Sequence, residues 1–149
     1  LSFSSLNESL KIKTKAEPFI NFIGEMKMGY TNYIQQKRTF TDEEWKQIKS
    51  EYEYVKEQGR IIPIEDTDEN LIAFNGKGES CETFWLCKNI EDYWSAGHMD
   101  DYYKEQFNKN GHHFNFCKTR MLPYDIDVWY LYVVCFNVCK DNITISRDR

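Results

Sequence analysis

Histidine and cysteine side chains gather in the second half of the chain, where they could bind a metal ion. They are His98, His112, His113, Cys81, Cys87 and Cys117. None of their spacings is that of a recognised zinc site, and adjacent histidines on a strand point to opposite faces. Cys135 and Cys139 lie four apart on one face of a predicted helix, where buried thiols usually pack as small apolar groups. The sequence therefore predicts neither a metal site nor a cofactor.

Cys117 is the candidate for nucleophilic catalysis with the most suggestive neighbours. Lys118 and His113 flank it, and a nearby cation lowers the pKa of a thiol. The alternative is a structural one, in which Cys117 points inward from a strand spanning Phe114 to Cys117. Paired carboxylates could also be assembled from Glu79, Glu82 and Asp125.

The composition is that of a folded domain with an acidic surface. Of its 149 residues, 41% are hydrophobic and 16% aromatic, which is enough to build a core. The formal net charge of -5 disfavours nucleic acid as a partner, because phosphate backbones require clustered Lys and Arg. The longest apolar run, Val128 to Cys139, is too short to span a membrane, so no membrane association is expected.

The cysteines indicate a reducing compartment. The chain has five of them, an odd number, and no CxxC pair. Such a set is a poor disulfide framework for a domain of this length. We therefore expect free thiols and a cytoplasmic location.

The clearest element that could position these residues is a helix from Asp42 to Gln58. Thr41 and Glu44 match a capping box, and Phe40 and Trp45 occupy the positions of a hydrophobic staple. Apolar residues then recur at spacings of three and four, and Gly59 supplies the stop.

Shorter segments surround this helix. Strands are predicted over Tyr30 to Gln35, Arg60 to Ile64, Leu71 to Phe74 and Thr83 to Cys87. Asn75-Gly76-Lys77-Gly78 is expected to be a hairpin loop between the last two. Residues 88–115 have an irregular pattern, with a short helix predicted around Asp100 to Phe107.

The stretch from Pro123 to Cys139 is predicted to be a buried helix. Its residues have high β propensity, but its length suits a helix better than one strand. Asp125 is the expected N-cap, with Asp127 in the first turn. A last strand, Ile143 to Ser146, follows.

These elements predict an α+β fold in one domain, with a small, mostly antiparallel sheet and two main helices. Residues 1–18, rich in Ser, Lys, Asn and Glu, are predicted to form a flexible N-terminal arm. Residues 19–149 are predicted to form the domain.

Three short motifs resemble those of a family of short uncharacterised proteins from bacteria, phages and some large DNA viruses. They are FNG at 74–76, ETF at 82–84, and FCKT at 116–119 with PYD at 123–125. The resemblance covers roughly residues 39–146. It implies an α+β domain in which PYD opens a buried helix, and it brings no known reaction, ligand or cofactor.

The sequence departs from the family pattern in two places. Ile62-Pro63-Ile64-Glu65 replaces a Gly-rich turn that usually precedes the FNG strand. Bulky residues, Trp129, Tyr130 and Phe136, replace small ones in the last helix, which suggests a contact with another subunit.

The motif residues supply the candidate site. The candidate catalytic residues are Glu82, Cys117, Lys118 and Asp125. The candidate binding residues are Asn75, Gly76, Thr119 and Tyr124. Each also has a structural interpretation: Asn75 and Gly76 suit a primed hairpin turn, and Glu82 could pair with Lys118 or accept from a backbone group. Tyr124 and Asp125 could cap the buried helix.

Two functions remain open from the sequence. The first is a non-enzymatic interaction or structural module, such as a component of a virion or another assembly, with a protein partner or as a homo-oligomer. The absence of a catalytic signature and the high aromatic content favour it. The alternative is a small cytosolic enzyme or small-ligand binder whose site gathers the four candidate catalytic residues.

Overall fold

The computed structural model describes residues 30–64, 68–94 and 100–148. The predicted arm, residues 1–18, lies outside this range. The elements, in chain order, are strand β1 (Thr31–Gln36), helix α1 (Asp42–Glu57), strands β2 (Ile61–Pro63), β3 (Leu71–Gly76) and β4 (Phe84–Cys87), a 3-10 turn (Ile90–Tyr93), helix α2 (Asp100–Asn110), strand β5 (His113–Lys118), helix α3 (Asp125–Val138) and strand β6 (Ile143–Arg147).

The domain is α+β, as the sequence predicts, but its strands form two sheets and not one. One sheet has the order β5-β1-β6 and the other β2-β3-β4. All four strand pairings among the described residues are antiparallel. β2, which contains Pro63, lies at a sheet edge, where the missing backbone donor costs least. The third helix, α2, belongs to the stretch whose pattern was irregular in sequence.

The start of α1 confirms the predicted capping box. The Thr41 hydroxyl accepts from the backbone N–H of Glu44 at 3.2 Å, and the Glu44 carboxylate accepts from the backbone N–H of Thr41 at 2.8 Å. The rings of Phe40 and Trp45 stack across the cap with centroids 5.8 Å apart. Arg38 binds both oxygens of the same carboxylate, at 2.8 and 3.0 Å. The cap therefore also fixes the chain that leaves β1.

α3 is the centre of the core. Its residues from Val128 to Cys135 are all buried, so the predicted buried helix is confirmed. The predicted N-cap is wrong: Tyr124 occupies that position and Asp125 is the first helical residue. The acidic first turn still suits the helix dipole, which favours negative charge there.

Two of the bulky residues of α3, Trp129 and Tyr130, pack within the chain. Trp129 is 1% exposed and Tyr130 5%. The Tyr130 ring lies 5.6 Å from that of Tyr54 on α1, and its hydroxyl donates to Glu51 at 2.6 Å. Tyr130 is covered by α1 and Trp129 by Arg147 of β6, so the subunit contact predicted for these two residues is wrong. For Phe136, which is only partly buried, it stays a prediction.

A series of ring contacts joins the β2-β3-β4 sheet to both long helices. Tyr52 on α1 lies 6.0 Å from Phe74, which lies 4.6 Å from Phe84, which lies 5.6 Å from Tyr132 on α3. Each ring buries a large apolar area and fixes the spacing of its neighbours. Within the described part of the chain, no helix is long and apolar enough to cross a membrane.

We predict that the free energy of unfolding depends on pH through Glu44. The hydrogen bond from Arg38 lowers the pKa of this carboxyl from 4.5 to about 2. Because the folded protein holds the ionised form more strongly, its contribution is present above pH 4.5 and is lost as the pH falls towards 2. Urea unfolding of Glu44→Gln should therefore show a deficit against the parent at neutral pH that shrinks across this window.

Glu43→Gln is the matched control, because it removes the same charge from the same helical turn and leaves the Arg38 contact intact. Identical pH profiles for the two variants would contradict the prediction.

Candidate functional site

The two sheets meet along a seam between strands β4 and β5, which belong to different sheets and do not join in one ladder. Side chains bridge the gap instead. Asn115 on β5 donates to the Trp85 carbonyl on β4 at 2.8 Å. Tyr93 accepts from the Cys87 N–H at 2.9 Å, and its ring stacks on that of His113 with centroids 4.0 Å apart. The Trp85 carbonyl and the Cys87 N–H, which could otherwise pair with a neighbouring strand, are thus satisfied by side chains. These side chains, and not a backbone ladder, join β4 to β5.

Glu82 closes one end of the seam. Its carboxylate accepts from the backbone N–H of Lys118 at 2.7 Å, and its own N–H donates to the Lys118 carbonyl at 3.0 Å. Two structural roles were expected for Glu82: an ion pair with the Lys118 ammonium, or a hydrogen bond from a backbone group. The structure shows the second, with the Lys118 N–H as the donor. The exposed Lys118 contributes its main chain to this bridge.

Cys117 lies on β5 beside this bridge and is fully buried. Its thiol contacts the Glu82 carbonyl at 3.6 Å. Burial, and then the nearby carboxylates, raise the pKa of the thiol to about 12. A thiolate nucleophile requires a lowered pKa and access to solvent, so the surroundings of Cys117 favour the structural interpretation.

Asn32 on β1 connects Asp125 with Cys117. Asn32 pairs with Cys117 in the β1–β5 register, and its side-chain amide donates to Asp125 at 2.7 Å. The Thr119 hydroxyl donates to the same carboxylate oxygen. Arg147 donates to the other oxygen at 2.6 Å. The structure therefore brings Cys117, Thr119 and Asp125 together, with the carboxylate occupied by three donors.

The Arg147 guanidinium is held between two rings. It lies 5.1 Å from the centre of Tyr30 and 4.8 Å from that of Trp129. The side chains of Arg147 and Asp125 are 5% and 9% exposed. Such a buried ion pair is tolerated because the ring faces and further hydrogen bonds replace the lost water.

A second ion pair fixes the same end of α3. Arg60 binds both carboxylate oxygens of Asp127 at 2.9 Å. Burial raises the pKa of Asp127, and Arg60 acts against that shift. Since Arg60 follows α1 and Arg147 ends β6, the two pairs tie distant parts of the chain to one helical turn.

Tyr124 joins this turn to the seam. Its hydroxyl donates to the Glu82 carbonyl at 2.8 Å and accepts from the Cys81 N–H at 3.1 Å. A β-carbon on Gly76 would lie 2.6 Å from the Tyr124 ring. Glycine at 76 is thus required by the close approach of this ring.

The hairpin turn predicted at Asn75 and Gly76 is wrong. Both residues belong to β3 and pair with Ile62 and Ile61 of β2. The connection to β4 runs through residues 77–83, where Gly78 has a φ of +77°. Asn75 accepts from the Thr83 hydroxyl at 2.5 Å and so braces this connection.

Most of the candidate residues from the sequence therefore lie near the start of α3, where hydrogen bonds join Glu82 to Cys117, Lys118 and Tyr124, and Thr119 to Asp125. These residues make hydrogen bonds to one another and to the backbone, as a structural network requires. No cluster of three or more His, Cys, Asp or Glu side chains suited to a metal ion occurs among the residues described. Their catalytic and binding roles stay predictions.

A different site, which the sequence did not single out, lies along the opposite side of the seam. It is a groove of about 1010 Å³ between α2, the 3-10 turn and the strands β4 and β5. We call it the aromatic groove. It is lined by Asp68, Leu71, Trp85, Cys87, Asp92, Tyr93, Tyr102, Tyr103, Gln106, Phe107, Asn110, His112, His113, Phe114, Asn115 and Phe116.

Four of the rings in the aromatic groove are half exposed. Trp85 is 48% exposed, Phe114 and Phe116 47% each, and Tyr102 52%. Large apolar side chains in contiguous exposed patches mark interaction sites more often than isolated ones do. The Phe114 and Phe116 rings lie 5.9 Å apart, so they present one continuous surface.

A signal for this surface was present in the sequence. Side chains alternate between the two faces of a strand. If Cys117 points inward, Phe114 and Phe116 therefore both lie on the outer face. The burial pattern of β5 has this alternation, with His113 and Cys117 buried and both phenylalanines exposed. The sequence spacing of Phe114 and Phe116 could therefore have indicated part of this surface. The contribution of Trp85 on β4 could be recognised only from the structure.

Comparisons with models of protein families, with curated proteins and with solved structures found no match to this chain.

We predict that Cys117 reacts slowly with thiol reagents in the folded protein. Its thiol is buried and its pKa is about 12, whereas Cys81 is partly exposed. Titration of the native chain with an aromatic disulfide should modify Cys81 first, and Cys117 only on unfolding. Cys81→Ser should remove the fast phase. A fast thiol that persists in Cys81→Ser and disappears in Cys117→Ser would contradict this.

We also predict a strong coupling between Arg147 and Asp125. Arg147→Met should lower the free energy of unfolding by about 3 kcal/mol, because it leaves a buried carboxylate without its cation. Adding Asp125→Asn should cost less than the sum of the single changes, as measured by a double-mutant cycle in urea. Lys56→Met, which breaks the partly exposed pair with Glu53 and a contact with the Tyr52 ring, is the control and should cost less than about 1 kcal/mol. Additive effects at Arg147 and Asp125 would contradict the coupling.

Proposed function

We propose that the protein is a non-enzymatic binding module that receives an apolar segment of a partner protein in the aromatic groove. The observation that carries the proposal is the set of four half-exposed rings that line one groove. Exposing them to water is unfavourable, at roughly 25 cal/mol for each Å² of apolar surface, so their burial by a partner would drive binding. Aromatic side chains are also the residues that most often anchor protein interfaces.

The size and shape of the aromatic groove support a polypeptide segment as its occupant. Its volume of about 1010 Å³ reaches the upper end of the range for small-molecule pockets, roughly 300–1,000 Å³. Small-ligand pockets bury most of the ligand, whereas here the rings that would hold it remain half open to solvent. An extended or helical segment would cover them along the length of the seam.

A foreign partner is favoured over a second copy of this chain. The formal net charge is -5, so two copies repel one another on approach. Trp129 and Tyr130, the bulky residues that suggested a subunit contact, are buried inside the domain.

The catalytic alternative receives less support from the same geometry. The Asp125 carboxylate is held by three donors, and the Cys117 thiol is buried with a raised pKa. The Asp125 carboxylate is thereby used in fixing α3 to Asn32 on β1 and to Thr119, and the Cys117 thiol is packed against the Glu82 carbonyl. Location in the cytoplasm or in a virion stays a prediction of the sequence.

Selection from a library of displayed peptides, with the full chain as bait, tests the proposal. We expect enriched peptides with apolar or aromatic residues, whose affinity falls about tenfold or more for Phe116→Ser. Ile126→Ser is the matched control, since Ile126 is 40% exposed on α3 and does not line the groove. It should leave the affinity unchanged.

Two results would overturn the proposal. One is a selection whose peptides bind Phe116→Ser and Ile126→Ser equally well. The other is concentration-dependent dimerisation in sedimentation that Phe116→Ser abolishes, since the groove would then serve a second copy.

A further inference from the structure

The two described sheets have four edge strands, and three of them are blocked. β4 and β5 face each other along the seam, where side chains bridge them. β2 is three residues long and contains Pro63, which has no backbone donor to offer. β6 is the fourth edge strand. Among the described elements, β1 pairs with one side of β6 and α3 packs against its inner face, which leaves its other side for a further strand.

The even-numbered residues of β6 direct their main-chain groups to β1. At one end of the pairing, the Asp148 N–H donates to the Thr31 carbonyl at 3.0 Å. At the other end, the Asn142 carbonyl accepts from β1 at the same distance. In an antiparallel ladder, alternate residues turn both N–H and C=O to the same neighbour. Thr144 and Ser146 therefore also face β1, and the odd-numbered residues face the opposite side.

The odd-numbered residues Ile143 and Ile145 have main-chain groups suited to pairing with another strand. Their N–H and C=O groups have no hydrogen-bond partner within the described part of the chain. β6 also lacks the devices that keep an edge from pairing: it contains neither Pro nor Lys, and its register with β1 has no bulge. Its charged side chain, Arg147, is directed inward to Asp125. Ile145 is only partly buried, so an added strand would cover apolar surface.

We propose that β6 is a dimer interface, at which it pairs antiparallel with β6 of a second copy about a two-fold axis at Ile145. Two-fold dimers are the commonest protein oligomers, and they require a surface that is complementary to itself. β6 meets this requirement, because an axis at Ile145 lets the N–H of that residue in each copy donate to the carbonyl of the same residue in the other. Thr144 then lies opposite Ser146 of the partner subunit on the exposed face.

The charges next to β6 do not oppose this pairing. Lys140 and Arg147 are balanced by Asp141 and Asp148, so the net charge of -5 is carried elsewhere. Charges farther away than about 8–10 Å are largely screened at physiological salt. Because a strand of five residues makes a small interface, we expect a weak dimer, with a Kd on the order of 10–100 µM. The dimer would carry two aromatic grooves, since β6 does not line the groove.

Sedimentation of the full chain over a range of concentrations tests the proposal, with two double variants that change only exposed side chains. Thr144→Lys combined with Ser146→Lys places positive charges opposite each other across the axis, and Thr144→Glu combined with Ser146→Glu does the same with negative charges. Each double variant should self-associate about tenfold or more weakly than the parent, and an equimolar mixture of the two should dimerise again. Phe116→Ser is the control and should dimerise like the parent, because Phe116 lies in the groove.

Amide exchange supplies a second readout. As the concentration of the parent rises, exchange of the Ile145 amide should slow, whereas that of Thr144, which already faces β1, should stay the same. A parent chain that remains monomeric at roughly 1 mM, or dimerisation that is unchanged in both double variants, would overturn the inference. A mixture of the double variants that stays monomeric would do so as well. Dimerisation that Phe116→Ser abolishes would place the interface in the groove and contradict both this inference and the proposed function.

Discussion

A helix that is apolar on every side has to be enclosed on every side, and this constraint organises the domain. α3 has 14 residues, and its middle is buried throughout. One small sheet cannot surround such a helix, because a sheet presents only one face to it. α1 and two sheets share the task, and the chain closes around α3 with residues drawn from both ends of the described region.

The enclosure explains why the motif residues are polar and yet buried. The first turn of α3 carries Asp125 and Asp127, whose charges suit the helix dipole but lose water on folding. Ion pairs with Arg147 and Arg60, which are distant in sequence, compensate Asp125 and Asp127 for the lost hydration. Asp125, a catalytic candidate from the sequence, therefore also has a structural role in holding the start of the buried helix.

The seam between the sheets follows from the same arrangement and creates the aromatic groove. Because side chains and not a backbone ladder join β4 to β5, the outer surface there is not a flat, regular sheet. Trp85, Phe114 and Phe116 face solvent along this junction, and α2 forms another wall. The groove proposed for binding therefore lies where the two sheets meet.

Local patterns in the sequence were sufficient for α1, for most strands and for the length of α3. A capping box, a staple and a 3.6-residue period act over a few neighbouring residues, so they can be recognised without the fold.

Contacts between distant residues decided the rest. Gly76 looked like a turn glycine, but it is small because Tyr124 passes over it. Asp125 looked like a cap, but its carboxylate is directed to Asn32, Thr119 and Arg147. The aromatic groove is lined by residues of both sheets, such as Trp85 and Phe116, which are 31 positions apart, and no local periodicity encodes that arrangement.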